Sequence, residues 1–135
     1  MTSTKPSPAP AGLEHVNLTV SDPDATAAWM QAVFGWHIRW SGPALNNGRT
    51  VHVGSDSAYV ALYSPAARAH LGDDPHVQVG GLNHLGVQVT DLTATEARVI
   101  AAGFTPHNHA DYAPGRRFYF HDADGIEYEA VTYDD

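Results

Sequence analysis

The stretch "LNHLGVQVTD" at residues 82–91 decides the fold, because it repeats the stretch "LEHVNLTVSD" at residues 13–22. Leucine, histidine, three apolar positions and the closing aspartate coincide in the two copies. Each copy alternates apolar and polar residues, which is typical of a half-buried β-strand. The repeat therefore predicts two related modules in one chain.

Each predicted strand is followed by an alanine-rich segment with helical periodicity, at residues 24–34 and 94–102. The closing aspartates are placed to cap these helices, and Gly35 and Gly103 are placed to end them. The predicted strands lie at 13–20, 36–41, 48–54 and 58–63, and then at 82–89, 104–109, 116–121 and 126–132. The order strand–helix–strand–strand–strand is therefore expected twice.

The sequence predicts one folded domain with a short lead-in. Residues 1–12 are rich in proline, serine and alanine, and we expect them to be disordered. The domain spans residues 13–135, with module one at 13–64, a linker at 64–80 and module two at 81–133.

Composition excludes several classes of function. The net charge of −8 argues against nucleic-acid binding and against adhesion to an anionic membrane. The chain has no cysteine, so disulfides and thiolate metal sites are excluded. No apolar run approaches the roughly 20 residues of a membrane span, and the N-terminus lacks the apolar core of a signal peptide. We therefore expect a cytoplasmic protein.

Strand alternation places His15 and His84 at equivalent positions on the polar faces of the two first strands. Glu129 lies inside the last strand, where a carboxylate is costly unless a cation or hydrogen bonds compensate it. Two imidazoles and one carboxylate form a ligand set suited to Fe, Mn, Ni, Co or Zn. For each residue alone, the alternative is a hydrogen-bonded rim histidine or a solvent-facing glutamate.

The two repeated stretches and "FYFHDADGIEYEAV" at 118–131 resemble the vicinal oxygen chelate superfamily. This superfamily includes glyoxalase I, fosfomycin-resistance transferases, extradiol dioxygenases and bleomycin-resistance proteins. The resemblance covers residues 13–132, with Ala123 where the family signature has proline. It implies an α+β fold of two tandem βαβββ modules, whose eight strands curl into a barrel-like mixed sheet with the helices outside.

The resemblance also implies one divalent metal ion per site, held by His15, His84 and Glu129. Many glyoxalases have a fourth ligand where the repeat places Ala61, so this chain is similar to the three-ligand members. The implied function is a metal-dependent enzyme that binds a small oxygen-chelating substrate and stabilises an enolate or oxyanion. A lyase, isomerase or transferase ranks above an extradiol-type dioxygenase.

Two other functions stay open. One is a small-molecule binding protein without catalysis, of the bleomycin-resistance type, and the other is a metal-free dimer with a degenerate site.

Further side chains are predicted to line the site. Tyr119 matches a tyrosine that contacts substrate in the fosfomycin-resistance enzymes, and we expect it to act in catalysis as well. Arg117 lies on the same strand face, and the repeat aligns Arg49 with it, so both are expected to bind an anionic substrate group. The remaining candidates are His109 for acid–base catalysis, and His107 and Trp40 for substrate contact.

We expect a homodimer that binds a small molecule. Either both modules of one chain close the cup, or modules of two chains combine. In the second arrangement His15 comes from one subunit, and His84 with Glu129 comes from the other.

Overall fold

The computed structural model describes residues 6–70, 72 and 74–134, which form two βαβββ modules. Module one contains β1 (His15–Thr19), α1 (Pro23–Phe34), β2 (His37–Ala44), β3 (Gly48–Gly54) and β4 (Tyr59–Ser64). Module two contains β5 (Leu85–Gln88), α2 (Leu92–Ala101), β6 (His107–Tyr112), β7 (Gly115–His121) and β8 (Glu127–Tyr133). The predicted order of elements is confirmed in both halves. The expected disorder of the lead-in falls partly on residues 1–5, which lie outside the described residues.

The two helices begin in the same way and end differently. The carboxylates of Asp22 and Asp91 accept hydrogen bonds from the third residue after each, at 3.1 and 3.0 Å. Helix α1 ends at Gly35, whose φ of +71° favours glycine. Helix α2 ends at Ala102 in a right-handed conformation, with the left-handed glycine, Gly103, one residue later. Among the described residues, neither helix is long and apolar enough to span a bilayer.

The strands form two four-stranded sheets with the same topology, β1-β4-β3-β2 and β5-β8-β7-β6. In each sheet the first and last strands of the module run parallel, and the other neighbours run antiparallel. Asn17 pairs with Ala61 in the first sheet, and Gly86 pairs with Glu129 in the second. Ala61 and Glu129 therefore hold equivalent positions, as the repeat predicts.

Both sheets turn their apolar faces to the same helical layer, and a single core results. The ring of Trp29 in α1 lies 5.2, 5.7 and 5.1 Å from the rings of Phe104, Phe120 and Tyr128 in module two. The fully buried side chains of this core include Met30, Val33, Val51, Val53, Leu62, Val99, Phe118, Phe120 and Tyr128. The helices lie against both apolar faces, and residues of β1 and β5, among them His15 and Gln88, line one cavity of about 480 Å³.

Candidate metal centre and substrate surface

His84 and Glu129 come together on the polar face of module two. His84 Nε2 lies 3.0 Å from Glu129 Oε1, and the Glu129 carboxylate is buried at 8% exposure. His84 Nδ1 lies 2.7 Å from Asn83 Oδ1, which can only accept a hydrogen bond. A neutral imidazole that donates from Nδ1 presents an unprotonated Nε2 to the carboxylate. Two acceptors at this distance need a second proton or a cation between them, and these residues therefore fit a divalent metal ion.

Module one repeats half of this arrangement. His15 Nδ1 lies 2.7 Å from Glu14 Oε1, so the side chain before the histidine again holds Nδ1 and leaves Nε2 available. An outer partner of this kind fixes the tautomer and ring orientation of a metal ligand. Ala61 occupies the position equivalent to Glu129, so module one offers an imidazole without a carboxylate beside it.

One chain does not bring the three predicted ligands together. His15 belongs to the sheet of module one, whereas Glu129 and His84, the residue before β5, belong to module two. In the part of the chain that the structure describes, these three residues do not form a group whose ligand atoms converge.

Arg117 and Tyr119 lie beside His84 and Glu129 on the polar face of module two. Arg117 Nη1 donates to Glu129 Oε2 at 3.0 Å, and its guanidinium lies 5.0 Å from the ring centre of Tyr112. The buried Nε of Arg117 has no hydrogen-bond partner among the described residues. Tyr119 pairs with Glu129 on the neighbouring strand. Burial, followed by the charge of Glu129, raises the pKa of Tyr119, so its hydroxyl is protonated at neutral pH.

Arg49 does not reach this surface. It lies on the helix-facing side of β3, where its Nε and Nη2 donate to the two carboxylate oxygens of Asp24, both at 2.8 Å. This pairing lowers the pKa of the Asp24 carboxyl, chiefly through the hydrogen bond from Arg49. The expected equivalence of Arg49 and Arg117 is therefore corrected.

The length of one hairpin loop explains the correction. Gly54 pairs with Tyr59 across residues 55–58, whereas His121 pairs with Glu127 across residues 122–126. Module two has one more loop residue, so the repeat offset that aligns β4 with β8 is one residue too long for β3 and β7. A one-residue shift moves a side chain to the opposite face of a sheet.

His107 and His109 lie on opposite faces of β6. The ladder between β6 and β7 is interrupted between residues 107 and 110, and Asn108 has a φ of +55°. A bulge of this kind reverses the alternation of the side chains that follow it. His109 therefore points to α2, where its Nε2 lies 2.9 Å from Glu96 Oε1, and it stacks on Phe118. The structure places His109 away from the polar face.

Four rings form a row across the polar face of module one. The ring centres of His15 and Tyr59 are 4.9 Å apart, those of Tyr59 and His52 are 4.6 Å apart, and those of His52 and Trp40 are 5.2 Å apart. The guanidinium of Arg39 lies 4.7 Å from the centre of Tyr59. Burial, and then the charges of His15 and Arg39, lower the pKa of His52. Trp40 was predicted at this surface, whereas Tyr59 and His52 were missed although their strand parity indicates the polar face.

Comparison with known proteins identifies the family. The family model described as the Glyoxalase/Bleomycin resistance protein/Dioxygenase superfamily matches residues 12–130. The chain therefore belongs to this superfamily, and the predicted glyoxalase-like fold is confirmed. No curated protein matches the chain.

Solved structures share the fold over almost the full chain. A glyoxylase/bleomycin resistance protein/dioxygenase domain from Frankia sp. EAN1pec is 26% identical with a TM-score of 0.80, and the match covers 94% of this chain and 95% of that one. The fosfomycin resistance protein FosX from Listeria monocytogenes, complexed with Mn(II) and sulfate, is 18% identical with a TM-score of 0.66, covering 92% and 93%. FosX from Mesorhizobium loti is 20% identical with a TM-score of 0.65, covering 90% and 91%.

Proposed function

We propose that this protein is a metal-dependent enzyme that acts on a small substrate with two neighbouring oxygen atoms. The metal ligands are His84 and Glu129 of one copy and His15 of a second copy. The observation that carries this proposal is the 3.0 Å approach of His84 Nε2 to Glu129 Oε1, with His84 Nδ1 already held by Asn83. The Mn(II) complex of the Listeria protein supports a divalent ion in this fold.

The proposal includes a homodimer in the cytoplasm. His15, His84 and Glu129 do not converge within the described residues of one chain, and the proposal takes the missing ligand from a second copy. Large apolar side chains are exposed around the polar faces of the two modules, at Ile38, Trp40, Tyr112 and Tyr133. Facing sheets from two copies would cover these side chains, which supports an interface at this surface.

The substrate-binding groups on module two are Arg117 and Tyr119. The metal ion, when bound, supplies Lewis-acid charge to an enolate or oxyanion. Arg117 has one nitrogen bound to Glu129, and its permanent positive charge on this face favours an anionic oxygen of the substrate. The protonated hydroxyl of Tyr119 provides a second donor on the same face. These donors favour a lyase, isomerase or transferase step at an oxygen-rich centre.

The ring row on module one favours a second candidate function. Tyr59, His52 and Trp40 present stacked or tilted rings on the same face as His15, and Trp40 is 52% exposed. Such a surface suits a planar aromatic ligand. The second candidate is therefore a small-molecule binding protein without catalysis. It requires ligand binding that a chelator leaves unchanged, whereas the enzyme requires the metal.

Metal content per chain tests the metal centre. Protein purified without an affinity tag or chelator would be compared with His84→Ala, Glu129→Ala and, as a control, His37→Ala on the exposed end of β2. Each of the first two variants should lose one equivalent of metal, and His37→Ala should lose none. Equal metal content in all four proteins would exclude the proposed ligands. The metal retained then selects the substrates to screen: catechols for iron, and hemithioacetals or epoxides for nickel, zinc or manganese.

Mixing two variants tests the shared cup. His15→Ala and Glu129→Ala each remove one ligand from every cup of a homodimer. After unfolding and refolding together, half of the dimers should be mixed, and each mixed dimer regains one intact cup. Metal binding at this site should recover to about a quarter of the native value. No recovery above the separately refolded variants would contradict a cup built from two chains.

A further inference from the structure

A second group of histidine and carboxylate side chains lies on the module-two polar face, beside the β7–β8 turn. Within residues 6–70, 72 and 74–134, His107, His121 and Glu127 are the one group whose ligand atoms all lie within 4.8 Å of one another. His107 Nε2 is 3.1 Å from His121 Nδ1, and Glu127 Oε2 is 3.9 Å from Nε2 of each histidine. With one ligand nitrogen per histidine, the ligand atoms lie within 4.8 Å of one another. Ligands bound to an ion at about 2.0–2.2 Å lie roughly 3–3.5 Å apart, so the side chains would rotate inward on binding.

Three adjacent strands hold this group. His107 lies on β6, His121 on β7 and Glu127 on β8, and the last two residues pair directly across the ladder. The two imidazoles stack with ring centres 5.0 Å apart. Ligands on paired strands are held more rigidly than ligands on loops, which favours a defined coordination geometry.

The carboxylate of Glu127 lies among histidine side chains. Its carboxylate is 9% exposed, and among the described residues every ion-pair partner of Glu127 is a histidine. Glu129, two residues along the same face, differs because Arg117 also binds it. An arginine carries a permanent charge and a neutral histidine does not, so Glu127 is a buried carboxylate without a permanent cation beside it. A divalent ion would provide that charge.

His76 from the linker orients the carboxylate. Its Nε2 lies 2.6 Å from Glu127 Oε1, while Oε2 is the oxygen that faces the other two histidines. Its Nδ1 lies 3.1 Å from Asp74 Oδ1. This is the arrangement of an outer partner that fixes a ligating carboxylate, so His76 is a positioning residue.

Solvent reaches the group from two sides. A cavity of about 220 Å³ is lined by His76, His121 and Glu127 among others. A second cavity of about 450 Å³ is lined by His107, His121 and Phe104 among others. An ion can therefore enter without opening the core.

The group is separate from the centre at His84 and Glu129. Glu127 and Glu129 lie two residues apart on one face of β8, which places their Cα atoms about 7 Å apart. Each group has its own carboxylate and histidine ligands, so the two sites are taken as mononuclear.

From these observations we propose that His107, His121 and Glu127 bind a second divalent transition metal ion, with zinc as the ion best matched to two imidazoles and one carboxylate. His76 holds Glu127 in position. The site does not depend on a second copy of the chain, because all of its residues belong to one module and its linker.

Zinc stoichiometry tests this proposal. Tag-free protein would be stripped with chelator, dialysed against Zn²⁺, and its zinc counted by mass spectrometry. The variants are His121→Ala and Glu127→Gln at this group, Glu129→Ala at the other centre, the combination of His121→Ala with Glu129→Ala, and His37→Ala as control. Circular dichroism would establish that each variant is folded.

Two zinc ions per native chain are expected, with one left in each single-site variant, none in the combination and two in His37→Ala. If Glu129→Ala changes nothing while His121→Ala removes an ion, the second site holds and the proposed function fails. If His121→Ala and Glu127→Gln both keep the native zinc content, the second site is overturned. His76→Ala should weaken zinc binding about tenfold, and His76→Gln, which keeps a donor, should restore it. Equal affinity in both would overturn the role of His76.

Discussion

The two polar faces have the same strand order and pairing but different chemistry. Module one carries a row of rings with one predicted ligand, His15, and no carboxylate at Ala61. Module two carries Glu127 and Glu129 at 9% and 8% exposure, with histidines and an arginine around them. The fold therefore tolerates two kinds of surface at equivalent positions. In the proposed homodimer, a complete site would combine the rings of module one with the charged side chains of module two.

Removing Glu129 is the most direct way to make module two match module one. Glu129→Ala reproduces Ala61, so His84 loses its ligand partner, and we expect affinity for Mn²⁺ at this centre to fall more than about 100-fold. Calorimetric titration would measure this affinity. The control is Glu96→Gln, which removes a carboxylate whose Oε1 lies 2.9 Å from His109 Nε2 on the opposite face. Similar losses in both variants would mean that general charge, not the ligand, sets the affinity.

The β7–β8 turn of module two is also more strongly hydrogen-bonded than the β3–β4 turn of module one. Asp122 in module two accepts hydrogen bonds from the backbone of Asp124 and Ile126 and from the Tyr128 hydroxyl, at 2.9, 3.0 and 2.8 Å. Asp122→Ala should cost about 3 kcal/mol of unfolding free energy, because the buried Tyr128 hydroxyl and two backbone donors lose their acceptor. Urea unfolding would measure this loss.

The module-one turn provides the matched control. The Ser55 hydroxyl makes longer contacts with the backbone of Ser57 and Ala58, at 3.3 and 3.4 Å, and these contacts are exposed. Ser55→Ala should therefore cost less than about 0.5 kcal/mol. Equal losses of unfolding free energy in Asp122→Ala and Ser55→Ala would show that burial does not strengthen the hydrogen bonds of Asp122.

Substituting the side chains that hold the two predicted histidine ligands should have a smaller effect on metal affinity. Glu14 and Asn83 contact Nδ1 of His15 and His84, each at 2.7 Å. Glu14→Ala and Asn83→Ala should each weaken Mn²⁺ binding about tenfold, because the imidazoles lose their fixed tautomer and orientation. Titration of both variants would measure the two effects. Loss in Asn83→Ala alone would mean that Glu14 does not hold His15 for metal binding.

Much of this comparison could be predicted from the sequence. The repeat identified both modules, the aspartate caps and the equivalence of Ala61 and Glu129, because hydrophobic alternation and capping are local properties. It also indicated that Arg117 and Tyr119 share a face with Glu129. These features depend on strand parity over short distances, which the sequence encodes directly.

The remaining features depend on single residues that shift parity, or on contacts between distant segments. One extra residue in a hairpin loop turned Arg49 to the helix, and a bulge at Asn108 turned His109 to α2. Asparagine tolerates the left-handed conformation at residue 108 and is the one local signal of the bulge. His76 was missed because a linker residue reaches Glu127 only through the tertiary path of the chain.

The ion pair of Arg49 and Asp24 is expected to give the smallest effect, since both side chains are about half exposed. Arg49 lowers the pKa of Asp24 from its ordinary value of 3.8, chiefly by hydrogen bonding. A carboxyl with a lowered pKa stabilises the fold above its unfolded pKa, and this stabilisation is lost as the pH falls through the folded pKa. Asp24→Asn should therefore lower Tm by under about 3 °C at pH 7 and by nothing near pH 2.

Thermal unfolding of Asp24→Asn at both pH values would measure this difference, with Asp56→Asn as the control because the Asp56 carboxylate is fully exposed. Arg49→Gln should show the same pH-dependent loss, since it removes the other half of the pair. Asp24 also lies in the first turn of α1, where a negative charge favours the helix by itself. A loss in Asp24→Asn without a loss in Arg49→Gln would assign the stabilisation to that helix end. The ion pair between Arg49 and Asp24 would then add nothing to stability.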